Sequence, residues 1–334
     1  MKIEYNENSY SAVYNWLKIP EDMQIWELTG VAVDSDDLVY LFGPGEYPVK
    51  VFDEDGNYVR GLCKGQIARP HHIFIDKAHD DVFYLSDDDG HCVKKFTKDG
   101  ELLMVLGNEG VPSDTGAVNK DFRTVKRPAG PFNYPTGVAV TSDGCIFVTD
   151  GYGNARVHKF TPEGEYMFSW GQPGAGDGEF YLPHDIIIDK EDILYVADRE
   201  NFRVQIFDQD GKYLDQFPVC RPCSICFDAD ENICVAVLGE ITAAQQMVNP
   251  PKPGDPEGQW AGFAIYDKSG KQLYWKGEKE TWLHGNFRAS HGVAIDSKGN
   301  VYVGEVLWTS MGRVFPEPST FNARKFITKL KKND

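Results

Sequence analysis

The chain has 334 residues, 41% of them hydrophobic and 25% charged, which supplies a core and excludes a disordered polymer. Its 34 Lys and Arg against 51 Asp and Glu leave a net charge of −17, a surface that repels phosphate backbones and disfavours nucleic acid as a partner. No apolar run approaches the ~20 residues of a membrane span, so no membrane association is expected.

The opening MKIEYNENSYSAVYNW shows no basic segment leading into an apolar one, and the seven cysteines are irregularly spaced. Reduced thiols and a cytoplasmic location are therefore expected. One pattern then recurs along the chain: a β-branched run, a turn beginning at Asp or Thr, a second run, and an acidic or Gly-containing loop. It opens at Thr29, Pro70, Pro135, Pro183, Pro222 and Ser290, giving six copies. The segments VKVFDEDGNYVRGL, CVKKFTKDGELLMVL, RVHKFTPEGEYMFSW, RVQIFDQDGKYLDQF and FAIYDKSGKQLYW each add two alternating runs around a hairpin turn with Gly. Four short antiparallel strands in each of six repeats predict an all-β, six-bladed β-propeller, read as one domain over 1–334. The last copy ends on RKFITKL, and SAVYNWLKI near the N-terminus is expected to supply its outer strand. The stretches 108–134 and 240–261 break the period and are read as long surface loops that could act as lids.

One residue before each opening strand position stand Thr29, His71, Thr136, His184, Cys223 and His291. The first strand of a blade lines the central channel, so these positions form a ring at one depth. Histidine occupies alternate members, and the three imidazoles can converge on the axis. Three nitrogen ligands with a fourth position open suit Zn²⁺, with Fe²⁺, Mn²⁺ or Co²⁺ as alternatives. A Pro-His turn dipeptide with polar rim histidines is the plainer reading of any one of them alone. His72 should face the other way by strand alternation, and His91, His158 and His284 are read as surface residues or as support behind the ligands. Tyr152 and Arg199 fall in loops on the histidine face. Tyr152 could act as a general base or acid, and Arg199 could hold a carboxylate; packing on the rim and an ion pair with Asp198 or Glu200 are the alternatives. Cys220, Cys223 and Cys226 include a CxxC without the second pair that a zinc ribbon needs, although Cys223 could line the pocket.

TDGYGNARVHKF followed by LPHDIIIDKEDILYVADRENFRVQIF resembles the catalytic core of the peptidyl-α-hydroxyglycine α-amidating lyases, six-bladed propellers of the NHL-repeat type. The resemblance runs from about Gly30 to Leu330 and is densest from Pro135 to Phe207. It implies that His71, His184 and His291 match the family's zinc ligands, Tyr152 its catalytic tyrosine, and Arg199 an arginine of the active-site face. The chain also departs from that family. Pro44 stands where the family has a catalytic arginine, and Ala289 where it has a methionine. The family's structural Ca²⁺ uses two main-chain carbonyls, matching Val31 and Ile73, and an aspartate matching Gly292; glycine puts that Ca²⁺ in doubt.

The resemblance implies a metal-dependent, lyase-like enzyme acting on a small oxygenated substrate, changed from the family's own. The same groups could serve a hydrolase or hydratase. A non-enzymatic NHL propeller binding a protein partner is the alternative from another class. A lactonase-type propeller is disfavoured, because its Glu/Asn/Asp cluster is absent from the ring positions.

Overall fold

A computed structural model describes residues 5–239, 260–277, 287–307, 309 and 326–333. Twenty-four strands lie among them, arranged as six separate four-stranded sheets, with helix confined to short turns. Gly30–Val33, Val39–Phe42, Val49–Phe52 and Tyr58–Leu62 make the first blade, in that order from axis to rim. Pro70–Asp76, Pro135–Val140, Pro183–Ile188 and Pro222–Phe227 lead the next four blades. The sixth begins at Ser290–Ile295 and takes its outer strand, Tyr10–Val13, from the start of the chain. Tyr10 pairs antiparallel with Lys332 there, which closes the ring as the repeat pattern anticipates.

Local chemistry accounts for the blade shape. Gly56, Gly100, Gly164, Gly211 and Gly270 occupy the hairpins between third and fourth strands, at φ between +77° and +87°. L side chains rarely adopt that conformation, so the turn residue and the reversal come together. Apolar clusters fill the spaces between neighbouring sheets. Phe42, Val49 and Val51 of blade one, for example, pack with Ile73, Phe83 and Leu85 of blade two. Each sheet is covered on both faces, which explains its nearly continuous β-branched runs.

The acid that ends most second strands also has a structural reason. Asp87 accepts from the main-chain N–H of Ala68 and Arg69, Asp150 from Asn133, Asp198 from Tyr181, and Glu305 from Arg288 and Ala289. Each carboxylate staples the segment that delivers the next residues to the channel. In blades two to four a third-strand donor supports it: Lys94 near Asp87 at 3.5 Å, His158 with Asp150 at 3.3 Å, and Gln205 with Asp198 at 3.1 Å. His158 is thus a fully buried inter-strand group, not a surface residue, and buried His91 accepts from the Tyr134 N–H. His284 lies outside the described residues, as does 240–259 of the second long loop. The first long loop is anchored to blade three, with Thr115 Oγ1 donating to the Gly153 carbonyl.

Candidate active site

The ring positions are set by β-bulges. Pro70 pairs with Asp87 and His72 with Ser86, so His71 is the extra residue of its strand. His184 and His291 occupy the same bulged position between Pro183 and Asp185 and between Ser290 and Gly292. A bulge re-aims a side chain, and here it turns the imidazoles into the channel. Their ring centroids lie 4.8 to 5.2 Å apart, and their ligand nitrogens all fall within 4.8 Å of one another.

The alternation of the ring has a chemical consequence. His71 Nδ1 donates to the Thr136 carbonyl at 3.0 Å, His184 Nδ1 to that of Cys223 at 2.7 Å, and His291 Nδ1 to that of Thr29 at 2.7 Å. Every histidine is therefore oriented by the ring residue of the next blade, which is not itself histidine. A carbonyl only accepts, so each Nδ1 carries the proton and each Nε2 presents a bare lone pair. Burial holds all three imidazoles below their ordinary range, His291 down to about 3. Three neutral, buried acceptors facing one another, each with its second nitrogen anchored, fit the donor set of a divalent cation.

Tyr152 reaches the same point from the loop after the second strand of blade three. Its hydroxyl lies 3.0 Å from His184 Nε2 and 3.4 Å from His71 Nε2. Burial raises the phenol pKa and Arg199 opposes that rise. Arg199 is buried, with Nη1 3.4 Å from the Tyr152 hydroxyl and Cζ 5.5 Å from its ring centre. Arg199 Nε also donates to Glu200 Oε1 at 2.8 Å, an oxygen that Arg221 Nη2 shares at 2.8 Å. Burial works against the Glu200 carboxylate, but Arg221 and Arg199 pull it down to about 2. The ion pair and the approach to Tyr152 thus coexist: Glu200 holds the guanidinium and Nη1 points at the tyrosine. Cys223 lines the pocket, its Sγ 3.9 Å from Arg199 Nη1.

Two cations escape the sequence reading. Lys120, from the first long loop, stands 5.2 Å from the Tyr152 ring centre. It shares the buried Asp88 with Arg69, two residues ahead of His71. Only the loop's length hinted at a role, and nothing in its composition singles out Lys120. Below the ring, a Cβ on Gly292 would stand 2.9 Å from the Val31 nitrogen, which leaves no room for a carboxylate. Asp185 is the buried acid of that layer, accepting from the N–H of Ile186 and Ile225, with His72 at 3.4 Å. A second group, Asp87, Cys92 and Glu109, also clusters, but Lys94 already occupies it, 2.6 Å from Glu109.

A family model described as a 6-bladed beta-propeller matches residues 132–235. Human NHL repeat-containing protein 3 is 30% identical over 261 residues, covering 72% of this chain and 70% of that protein. Peptidyl-alpha-hydroxyglycine alpha-amidating lyase 1 of Drosophila melanogaster is 34% identical over 255 residues, covering 71% of this chain and 42% of that protein. This chain therefore spans less than half of that fly relative. A solved streptogramin B lyase superposes with a TM-score of 0.58 at 14% identity, over 98% of this chain and all of that one, a likeness of fold.

Proposed function

The chain belongs to the six-bladed NHL-repeat propellers, as a divergent member of the amidating-lyase-like group, and from that premise we propose that it is a metal-dependent, lyase-like enzyme acting on a small oxygenated substrate. The observation that carries this reading is the convergence of three Nδ1-anchored histidines with the Tyr152 hydroxyl, 3.0 Å from His184 Nε2. His71, His184 and His291 would hold the ion, Zn²⁺ first by ligand type, with Fe²⁺ or Mn²⁺ next. A bound divalent cation supplies Lewis acidity toward a substrate oxygen and favours the phenolate. Tyr152 then moves the proton of the reacting hydroxyl, and its ring is held edge-on against His71 and His184. Arg199, fixed by Glu200, orients an anionic substrate group. Lys120 and Arg69 add positive charge at the same mouth, in a protein that is otherwise strongly acidic.

Pro44 supplies neither the charge nor the five donors of an arginine, so weak or absent turnover of peptidyl-α-hydroxyglycine is expected. Efficient turnover of it would show that another cation replaces that arginine. Hydrolysis or hydration remains open to the same groups. Pro44 and the likeness to NHL repeat-containing protein 3 favour a second reading, a propeller that binds a protein partner without catalysis.

Elemental analysis of purified protein separates the readings. Stoichiometric metal is expected in the wild type, with sharp loss in His71→Ala, His184→Ala and His291→Ala, because two ligands retain zinc poorly against chelators. Full retention in all three variants would show that the ring is not the site; no metal in the wild type would favour the binding protein.

A further inference from the structure

Away from the channel, blade one breaks the internal rule that the other blades keep. Register places Lys50, Lys94, His158, Gln205 and Ala264 at one equivalent third-strand position, opposite Leu41, Leu85, Val148, Val196 and Val235. In blades two to four this polar residue comes with a buried acid at the end of the second strand, namely Asp87, Asp150 or Asp198. In blade five both members are apolar, Val237 and Ala264. Blade one alone retains the cation and drops the acid: Gly43 stands in its place. The reason for the glycine is steric, since a Cβ there would meet the Glu27 carbonyl oxygen at 2.4 Å. That does not account for keeping the lysine.

Lys50 is 2% exposed, and among the described residues no carboxylate lies within ion-pair distance of it. Among the described residues its Nζ donates to the carbonyls of Gly43, at 3.3 Å, and Pro44, at 3.1 Å. It also lines a cleft of about 160 Å³ walled by Pro20, Met23, Tyr47 and Tyr58, with the exposed acids Asp22 and Glu46. Glu46 is engaged by Lys64 at 2.5 Å. A side chain at exposed Gly45 would begin 3.5 Å from Nζ, so the glycine keeps that side of the buried amine clear of protein atoms. Burial without a counter-charge brings Lys50 down to about 8, so at pH 7 about a tenth of it is free amine, roughly 250-fold more than in an ordinary lysine.

We propose that Lys50 is a covalent capture site for small uncharged aldehydes entering this cleft. The Nζ lone pair adds to the carbonyl carbon, a C=N bond forms, and the carbonyl oxygen leaves as water with the two amine protons. Aromatic and apolar walls suit an uncharged alkyl or aryl group, and the acids lining the cleft disfavour an anionic one. A buried free amine is the state in which lysine forms such imines.

The test is reductive trapping of the full chain with propanal and sodium cyanoborohydride near neutral pH, followed by peptide mapping. Lys50 should be propylated at least about tenfold faster than exposed Lys64 or Lys298. Glyoxylate, an anionic aldehyde, should label Lys50 more slowly than propanal does. In Lys50→Arg the fast adduct should vanish while thermal stability and the slow labelling of surface lysines persist. Labelling of Lys50 no faster than the surface lysines would overturn the proposal. So would a fast adduct that survives in Lys50→Arg, or equal rates with glyoxylate.

Discussion

A single oxygen separates the two roles open to Tyr152. As packing, the ring touches His71 and His184 edge-on, at centroid distances of 5.2 and 5.6 Å, and phenylalanine would pack the same way. As chemistry, the hydroxyl lies 3.0 and 3.4 Å from two imidazole nitrogens and 3.4 Å from Arg199 Nη1. In the absence of a cation, burial keeps the group a phenol, so its use as a base depends on the charge placed beside it. Tyr152→Phe should therefore leave fold and metal content intact. On a substrate that the wild type turns over, it should cost roughly the 10²–10⁴-fold of a lost general acid–base. Turnover near wild type would reduce Tyr152 to packing.

At the scale of elements, the N-terminal strand is the most exposed to test. Tyr10 is 4% exposed and packs 5.9 Å from Phe263 and 5.2 Å from Tyr274 of blade five, while its strand completes blade six. Tyr10→Ala should remove about 3 kcal/mol, the scale of a large-to-small aromatic change. A thermal or urea melt would read this as a clear fall in midpoint, and an unchanged midpoint would mean that the closure carries little stability. The strand pattern was legible because each blade repeats the same alternation and the same hairpin glycine. The histidine ring was legible for a related reason: equal positions in equal repeats must share a depth in the channel. The bulge that aims His71, His184 and His291 was not, since it is a property of pairing and not of any residue type. Lys120 was illegible because a loop's path over the site is set by tertiary anchors such as Thr115 and Asn133. His158 misled because its partner, Asp150, is a strand-end acid that only register brings beside it.

For the whole molecule, buried ionisable groups set the pH dependence of stability. His71, His91, His158, His184 and His291, five of the eight histidines, are buried, and burial lowers each below its ordinary value. In metal-stripped protein the unfolded chain then binds protons below about pH 6.5 that the folded chain refuses. Stability must rise with pH in that window, by up to about 1.4 kcal/mol per unit for each imidazole, and level off above it. Four buried carboxyls act the other way: burial raises Asp88 and Asp185 above their ordinary range, Asp198 to about 6 and Glu305 to about 7. Their contribution is present at low pH and lost as pH rises through those values. Five imidazoles, with Glu200 held low beside its two arginines, outweigh the four carboxyls below pH 6.5, so urea midpoints should climb modestly from about pH 4.5 to 6.5; a flat profile there would mean that the buried imidazoles are not held neutral. Glu305→Gln isolates the opposing effect. Its amide oxygen can still accept from the Arg288 and Ala289 N–H groups, now without a charge to bury. The variant should match the wild type near pH 4 and exceed it above pH 7, by on the order of 3 kcal/mol at most. A difference of the same size at both pH values would trace the change to packing and leave Glu305 ionised in the folded protein.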